Sequence, residues 1–283
     1  MVKSRLNLSK VIATWRETLA ETGRSIGVVL GGDEDLVGVA QERFSPGGTL
    51  PALWTGSLAG LSELLSVPGE LLVLFLKPED EAEARTALGQ APARGAVVLA
   101  VDEGESASGR RSHVGDECVR LSFSDTSRGW RRLFETCAEA AGDHMVALGR
   151  RYPIVRRAAA RRVVYRTAAQ NALIGAAFFI PGTDMPAMTL NQAKMILSVA
   201  GIYGAEIGRE RAIELVAVVG LGFGLRALAR SFLRSTPGLG WVIKASTGFT
   251  GTVALGMAAM RYFEKGAPAS TGRVVALVRA ARS

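Results

Sequence analysis

The stretch Ile180-Pro181-Gly182-Thr183-Asp184-Met185-Pro186 interrupts a long apolar region with a turn that carries a carboxylate. Breaks in a helix at membrane depth persist only where protein or a water-filled cavity satisfies the freed backbone groups. The partners expected for Asp184 are Lys194 or Arg209, with Asn191 and Gln192 as hydrogen-bond donors. The alternative, which does not exclude this pairing, is that Thr183 or Asp184 caps the helix that follows the turn. The stretch therefore predicts a helical hairpin that lies in, on or beside a bilayer.

The two halves of the chain differ strongly in charge. Residues 1–148 contain 15 Lys and Arg against 21 Asp and Glu, a net charge of −6, whereas residues 149–283 contain 19 against 5, a net charge of +14. A basic half that is also rich in apolar residues suits contact with anionic lipid. Nucleic acid would explain the charge but not the apolar segments, so no nucleic-acid partner is predicted.

The acidic half has the pattern of an α/β domain. Short apolar segments alternate with amphipathic ones, which is typical of a parallel sheet covered by helices on both faces. Ser9 is placed to begin a helix over residues 9–22, and Asp125 or Thr126 to cap a later one. The four predicted strands are residues 26–30, 71–76, 96–101 and 118–123.

The turn after the first predicted strand, Gly31-Gly32-Asp33-Glu34-Asp35, is compared with a phosphate-binding loop. Such a loop needs a lysine for the terminal phosphates and a hydroxyl for Mg²⁺. This turn has neither, and its three carboxylates repel phosphate. No catalytic residue or nucleotide cofactor is predicted here.

No metal site and no disulfide are predicted either. The two histidines and two cysteines lack the close spacing of zinc ligands, and free, buried thiols are expected. The N-terminus has no continuous apolar region, so no cleaved signal is expected. The residues concerned are His113, Cys118, Cys137 and His144.

Seven arginines and no acidic residue occupy positions 150–166. At about 100° per residue they are expected to scatter around a helix. Beside an apolar region, such a cluster is typical of a segment that attracts anionic lipid. The alternative is a solvated helix between two domains. The predicted lipid contacts are Arg156, Arg157, Arg161 and Arg162.

One apolar segment, residues 239–260, has the length that spans a bilayer, about 20 residues. Its only charge, Lys244, lies near one end. The alternative is a soluble helical bundle with a core rich in Ala and Gly.

A set of residues in the basic half carries a resemblance to a known family. They are Asn171-Ala172, Ile180-Pro181-Gly182, Asp184, Gln192, Met195, Tyr203-Gly204, Glu210-Arg211-Ala212, Thr252, Gly256 and Tyr262-Phe263. With these residues the segment 164–265 resembles the YcjF-like, GTPase-associated bacterial domain of unknown function. The resemblance implies a membrane-associated protein without an established reaction, fused to or encoded beside Era-like GTPases.

The acidic half is more loosely similar to an Era-like GTPase core, through its order of strands and helices. Val101-Asp102-Glu103 stands where a base-reading Asn-Lys-x-Asp motif is expected, and Ser122-Phe123-Ser124 where the last loop of the core is expected. Together with the missing phosphate-binding lysine, these departures imply a pseudo-GTPase. An independent Rossmann-like domain is the alternative.

The predicted organisation is an α/β domain over residues 1–148, an arginine-rich linker helix over 149–168 and an all-α, membrane-associated domain over 169–283. The predicted function is a non-enzymatic scaffold or regulator at the bacterial inner membrane, with its first domain in the cytoplasm. Its expected partners are anionic lipid and a GTPase or a second copy. The alternative is a soluble protein that binds a nucleotide or small ligand.

Overall fold

The computed structural model describes residues 26–48, 50, 52–90, 95–114, 117–177, 185–205 and 240–266, together with isolated positions before residue 25. The described chain forms two compact units, one over Gly23–Ala159 and one that includes the chain from Ala160 onward. Pro181, Gly182 and Asp184 of the predicted turn motif lie outside the described residues, as do most of the predicted helix 9–22 and segment 206–239.

The first unit is built on a six-stranded sheet in the order β2-β1-β3-β4-β6-β5. Neighbouring strands are parallel except β5 and β6, which are antiparallel. All four strands predicted from apolar segments are present, and β2 and β5 are additional. The strands are β1 (Val28–Gly32), β2 (Leu53–Ser57), β3 (Leu71–Leu76), β4 (Ala96–Asp102), β5 (Arg111–His113) and β6 (Cys118–Phe123).

Helices cover both faces of this sheet, which confirms the predicted α/β class. On one face, rings from the strands and from two helices pack edge to face, with Trp130 5.2 Å from Phe123 between ring centroids. On the other face, Leu61, Leu64 and Ala84 pack on leucines of the strands. The helices of this unit are α1 (Glu34–Phe44), α2 (Leu61–Leu64), α3 (Glu81–Gln90), α4 (Ser127–Ala140) and α5 (Met145–Arg151).

The described residues that follow include three longer helices, α6 (Pro153–Ala177), α7 (Met185–Ile202) and α8 (Gly240–Glu264). The described part of the C-terminal half is therefore helical, as predicted. The start of α6 is fixed by Tyr152, which is fully buried and donates a hydrogen bond from its hydroxyl to the carbonyl oxygen of Ala52 at 2.7 Å. Burial raises the pKa of this phenol, so it stays a hydrogen-bond donor.

Among the described helices, none combines the length and the apolar character needed to cross a membrane. The expectation of a spanning helix over residues 239–260 is therefore not met, although α8 does form there. The physical reason lies in composition: α8 contains Ser246, Thr247, Thr250 and Thr252 and several glycines, which lower its hydropathy below that of a Leu-rich span.

Candidate functional sites

The first candidate site is the edge of the sheet between β1 and β3. In doubly wound sheets, ligands bind beyond the carboxyl ends of the strands where the strand order reverses. Here a single residue, Asp33, separates β1 from α1. Its backbone N–H donates to the carbonyl of Phe75 at 2.9 Å, and its carboxylate accepts from the N–H of Leu36 at 3.2 Å.

The same carboxylate forms an ion pair with Lys77, with 3.5 Å between Nζ and Oδ2. A phosphate-binding loop presents free backbone N–H groups at a helix N-terminus. In this protein Asp33 occupies that position, and Glu34 and Asp35 follow in the first turn of α1. Lys77 was missed by sequence reasoning, although a lysine directly after a buried strand marks the carboxyl edge of a sheet.

A second polar group lies at the ends of β4 and β6. The Nε of Arg120 donates to both carboxylate oxygens of Glu81, at 2.9 and 3.0 Å, and its Nη2 donates to Glu103 at 2.9 Å. Ser122 also donates to Glu103. The hydrogen bond from Ser122, and after it the bond from Arg120, lower the pKa of the Glu103 carboxyl. Two positions compared with GTPase motifs, Glu103 and Ser122, are thus brought together and bind each other.

The third candidate site is the exposed side of α6. Arg157, Arg162 and Arg166 are exposed, and the guanidinium of Arg161 lies 5.9 Å from the ring centroid of Tyr165. At about 100° per residue these four arginines fall within one half of the helix circumference. Arg157 and Arg166 have no ion-pair partner among the described residues.

Arg156 differs from the other predicted lipid contacts. It is half-buried, lies outside that half of the helix, and donates from Nε to the carbonyl of Gly149 at 3.4 Å. The expected scatter of arginines therefore applies to Arg156 but not to the other four. We name Arg157, Arg161, Arg162 and Arg166 the basic face of α6. Exposed apolar side chains accompany it, namely Ile154 (38% exposed), Tyr165 (42%) and Leu173 (71%).

The helical unit also contains a buried polar cluster. Asn171 of α6 and Thr252 of α8 are both fully buried, and the amide of Asn171 donates to the hydroxyl oxygen of Thr252 at 2.9 Å. Gln192 of α7 donates to the same oxygen at 3.2 Å, and Asn191 donates to Asn171 at 3.1 Å. The hydroxyl of Thr252 in turn donates to the carbonyl of Gly248 at 2.7 Å. We name these side chains the Asn171 cluster.

Small residues let the three helices approach around this cluster. A Cβ added at Gly248 would come within 2.6 Å of Met188 and 3.1 Å of the carbonyl oxygen of Asn171, and one added at Gly256 would overlap Val164. At the far end of α8, the Tyr203 hydroxyl donates to Glu264 at 2.8 Å. Most described residues that carry the family resemblance thus form contacts between helices. Gln192, predicted as a neighbour of Asp184, is bound to Thr252.

One family of known proteins matches the C-terminal half of the chain. Residues 147–281 match a family described as a domain of unknown function, DUF697. The matched residues contain α6, α7, α8 and the Asn171 cluster. No curated protein matches the chain, and no solved structure matches it.

Replacing Thr252 with Val should destabilise the helical unit by about 2 kcal/mol, because the buried amide of Asn171 and the half-buried amide of Gln192 lose their shared acceptor. Thr250 lies on the same helix but is exposed, so Thr250→Val should change stability by less than about 0.5 kcal/mol. Urea denaturation of the full chain, followed by helical circular dichroism, measures both. Equal midpoints for the two variants would show that the Asn171 cluster contributes nothing to stability.

Proposed function

We propose that this protein is a non-enzymatic scaffold or regulator that attaches to an anionic membrane surface through the basic face of α6. The observation that carries this proposal is the arrangement of four arginines on the exposed half of one helix, interspersed with exposed Ile154, Tyr165 and Leu173. Each basic residue near an anionic surface contributes about 1 kcal/mol to binding. The membrane proposed is the bacterial inner membrane, contacted from its cytoplasmic side.

The apolar side chains favour lipid over nucleic acid as the partner. An interfacial helix combines Lys or Arg with aromatic and aliphatic side chains that enter the boundary between headgroups and acyl chains. Phosphates of nucleic acid would satisfy the arginines but leave Leu173, which is 71% exposed, in water. Flotation of the full chain with vesicles of anionic and of neutral lipid tests this part of the proposal.

The α/β unit is proposed to be a degenerate GTPase-like module that presents a surface rather than hydrolysing nucleotide. Phosphoryl transfer depends on neutralising charge on the phosphates. At the corresponding edge of this sheet, Asp33 caps α1 and pairs with Lys77, so the nearest lysine already has a carboxylate partner. The proposed partner of this module is a GTPase or a second copy of the chain, in line with the resemblance of the helical half.

The full chain should therefore hydrolyse neither GTP nor ATP above the buffer rate in a single-turnover assay with Mg²⁺. The matched variant is Asp33→Asn, because Asn also caps helices while lacking the charge. Hydrolysis by the native chain that is lost in Asp33→Asn would contradict the proposal. It would assign a metal-binding role to Asp33.

The second candidate is a soluble protein that binds a nucleotide or small ligand, with the helical unit as a packed bundle. The observation that favours it is a cavity of about 600 Å³ in the α/β unit. This candidate predicts that the chain stays in solution in cell extracts.

A further inference from the structure

The cavity lies on the face of the sheet covered by α2 and α3, towards the amino ends of the strands. Its floor is one row of side chains from four neighbouring strands, Val29, Leu72, Val97 and Cys118, which are consecutive partners in the strand register. The cavity volume of about 600 Å³ lies within the range of small-molecule sites, about 300–1,000 Å³.

The cavity exists because the helices on this face are short. α2 has only four residues, and the chain then runs as a loop through Leu65 and Val67. α3 has ten residues and ends near Gly89, which contributes no side chain to the space above the floor. Leu65, Val67 and Leu88 line the walls and remain only partly buried. Apolar surface is thus left available to a ligand.

Among the described lining residues, the cation is Arg85. Arg85 lines the cavity, and its side chain is 51% exposed. Its ion pair with Glu81 is long, 3.8 Å, because that carboxylate is held by Arg120 at 2.9 Å. The guanidinium of Arg85 therefore keeps donors for an additional anion. Glu117, the acidic residue in the lining, is exposed, so water screens its charge.

We propose that this cavity binds a single-chain amphiphile with one anionic headgroup. Its apolar chain lies on the row from Val29 to Cys118, and its headgroup, a carboxylate of the fatty-acid type, pairs with Arg85. Burial of the chain supplies the affinity, and the guanidinium, which donates two parallel hydrogen bonds to a carboxylate, selects the headgroup. This site is separate from the basic face of α6, and its test uses no membrane.

The chain contains an internal reporter for this site. It has two cysteines, and Cys137 is fully buried, with burial raising its pKa to about 12. Cys118 is half-buried in the cavity floor, so a small alkylating reagent modifies it selectively. Burial raises the pKa of the Cys118 thiol as well, so the reaction is run at about pH 9, where more thiolate is present.

Alkylation of Cys118 in the full chain by iodoacetamide, followed by mass spectrometry, is measured with and without dodecanoate below its micelle-forming concentration. At ten times the dissociation constant, dodecanoate should slow the reaction about tenfold by mass action. Dodecanol, which lacks the charge, should protect at least about tenfold less well at equal concentration. No protection by dodecanoate, or equal protection by dodecanol, would overturn the proposal.

Two variants and one control locate the ligand. Arg85→Gln should weaken dodecanoate protection about tenfold or more, whereas Arg132→Gln, at an exposed position of α4 outside the cavity lining, should leave it unchanged. Gly89→Phe should reduce protection by both compounds, because its ring enters the cavity at a position where an added Cβ meets no atom within 4 Å. Undiminished protection in both Arg85→Gln and Gly89→Phe would place the ligand elsewhere and overturn the proposal.

Discussion

Replacing the basic face of α6 with glutamine, as Arg157→Gln, Arg161→Gln, Arg162→Gln and Arg166→Gln together, should weaken binding of the full chain to anionic vesicles by roughly 10³-fold. The estimate follows from about 1 kcal/mol for each arginine near the surface and a tenfold change for each 1.4 kcal/mol. Arg156 is left unchanged because it bonds to the carbonyl of Gly149. Flotation with vesicles that contain phosphatidylglycerol measures the effect.

The matched control removes the same charge from the α/β unit, at the exposed Arg110, Arg128, Arg131 and Arg132. It should bind nearly as tightly as the native chain, because a local contact and not net charge is responsible. Native binding should also weaken as salt rises from roughly 50 to 500 mM, since the screening length shortens. Equal losses in the two quadruple variants would contradict a specific role for α6.

Replacing Gly32 with Ala should destabilise the α/β unit by about 4 kcal/mol or more, a large share of the roughly 5–15 kcal/mol that stabilises a typical domain. Gly32 has a φ of +110°, which side chains rarely adopt, and a Cβ there would overlap the carbonyl oxygen of Phe75 on β3. The same carbonyl accepts the N–H of Asp33, so it cannot move without breaking the turn into α1.

The control for this substitution is Gly38→Ala, in the second turn of α1. Gly38 is exposed within α1, and a Cβ there meets no atom within 4 Å. Because Ala favours a helix more than Gly does, this variant should gain about 0.5–1 kcal/mol. Chemical denaturation measures both variants. A Gly32→Ala chain as stable as the native one would contradict the described turn between β1 and α1.

The strands that could be predicted are those whose side chains are buried on both faces. All six residues of β3 are buried and apolar, so its sequence alone predicts a strand. β2 lies at the edge of the sheet, is only partly buried and contains Gly56, so its sequence resembles a loop. β5 is polar and exposed throughout. An edge strand forms because it pairs with a neighbouring strand, and this pairing cannot be predicted from the sequence of the edge strand alone.

The basic face of α6 was only partly predictable, because hydropathy fails to separate its two sides. The buried side includes polar Thr167 and Asn171, whereas the exposed side includes Ile154, Tyr165 and Leu173. The spacing of apolar residues therefore does not indicate which side of α6 is buried, and the sequence alone predicts arginines scattered around the helix. The exposure of these arginines depends on which side of α6 packs on other helices, and that packing is part of the tertiary structure.

The sequence predicted residues of the Asn171 cluster as important, but it did not predict which of them form hydrogen bonds with each other. Asn171, Gln192 and Thr252 were recognised through the family resemblance. Gln192 was assigned to the turn at Asp184, which is close in sequence. Its described partner, Thr252, lies 60 residues away, and the bond from Asn171 to Thr252 joins residues 81 apart. Single-sequence reasoning favours local partners and misses such pairs.

Fractionation of cells that produce the full chain tests whether it attaches to a membrane through α6. The native chain should sediment with membranes at low salt, and the variant with four glutamines on α6 should remain in the supernatant. Because screening weakens the contact of arginines with anionic lipid, roughly 0.5 M salt should release part of the native chain. A native chain that remains entirely in the supernatant at low salt would exclude this attachment and favour a soluble, ligand-binding protein.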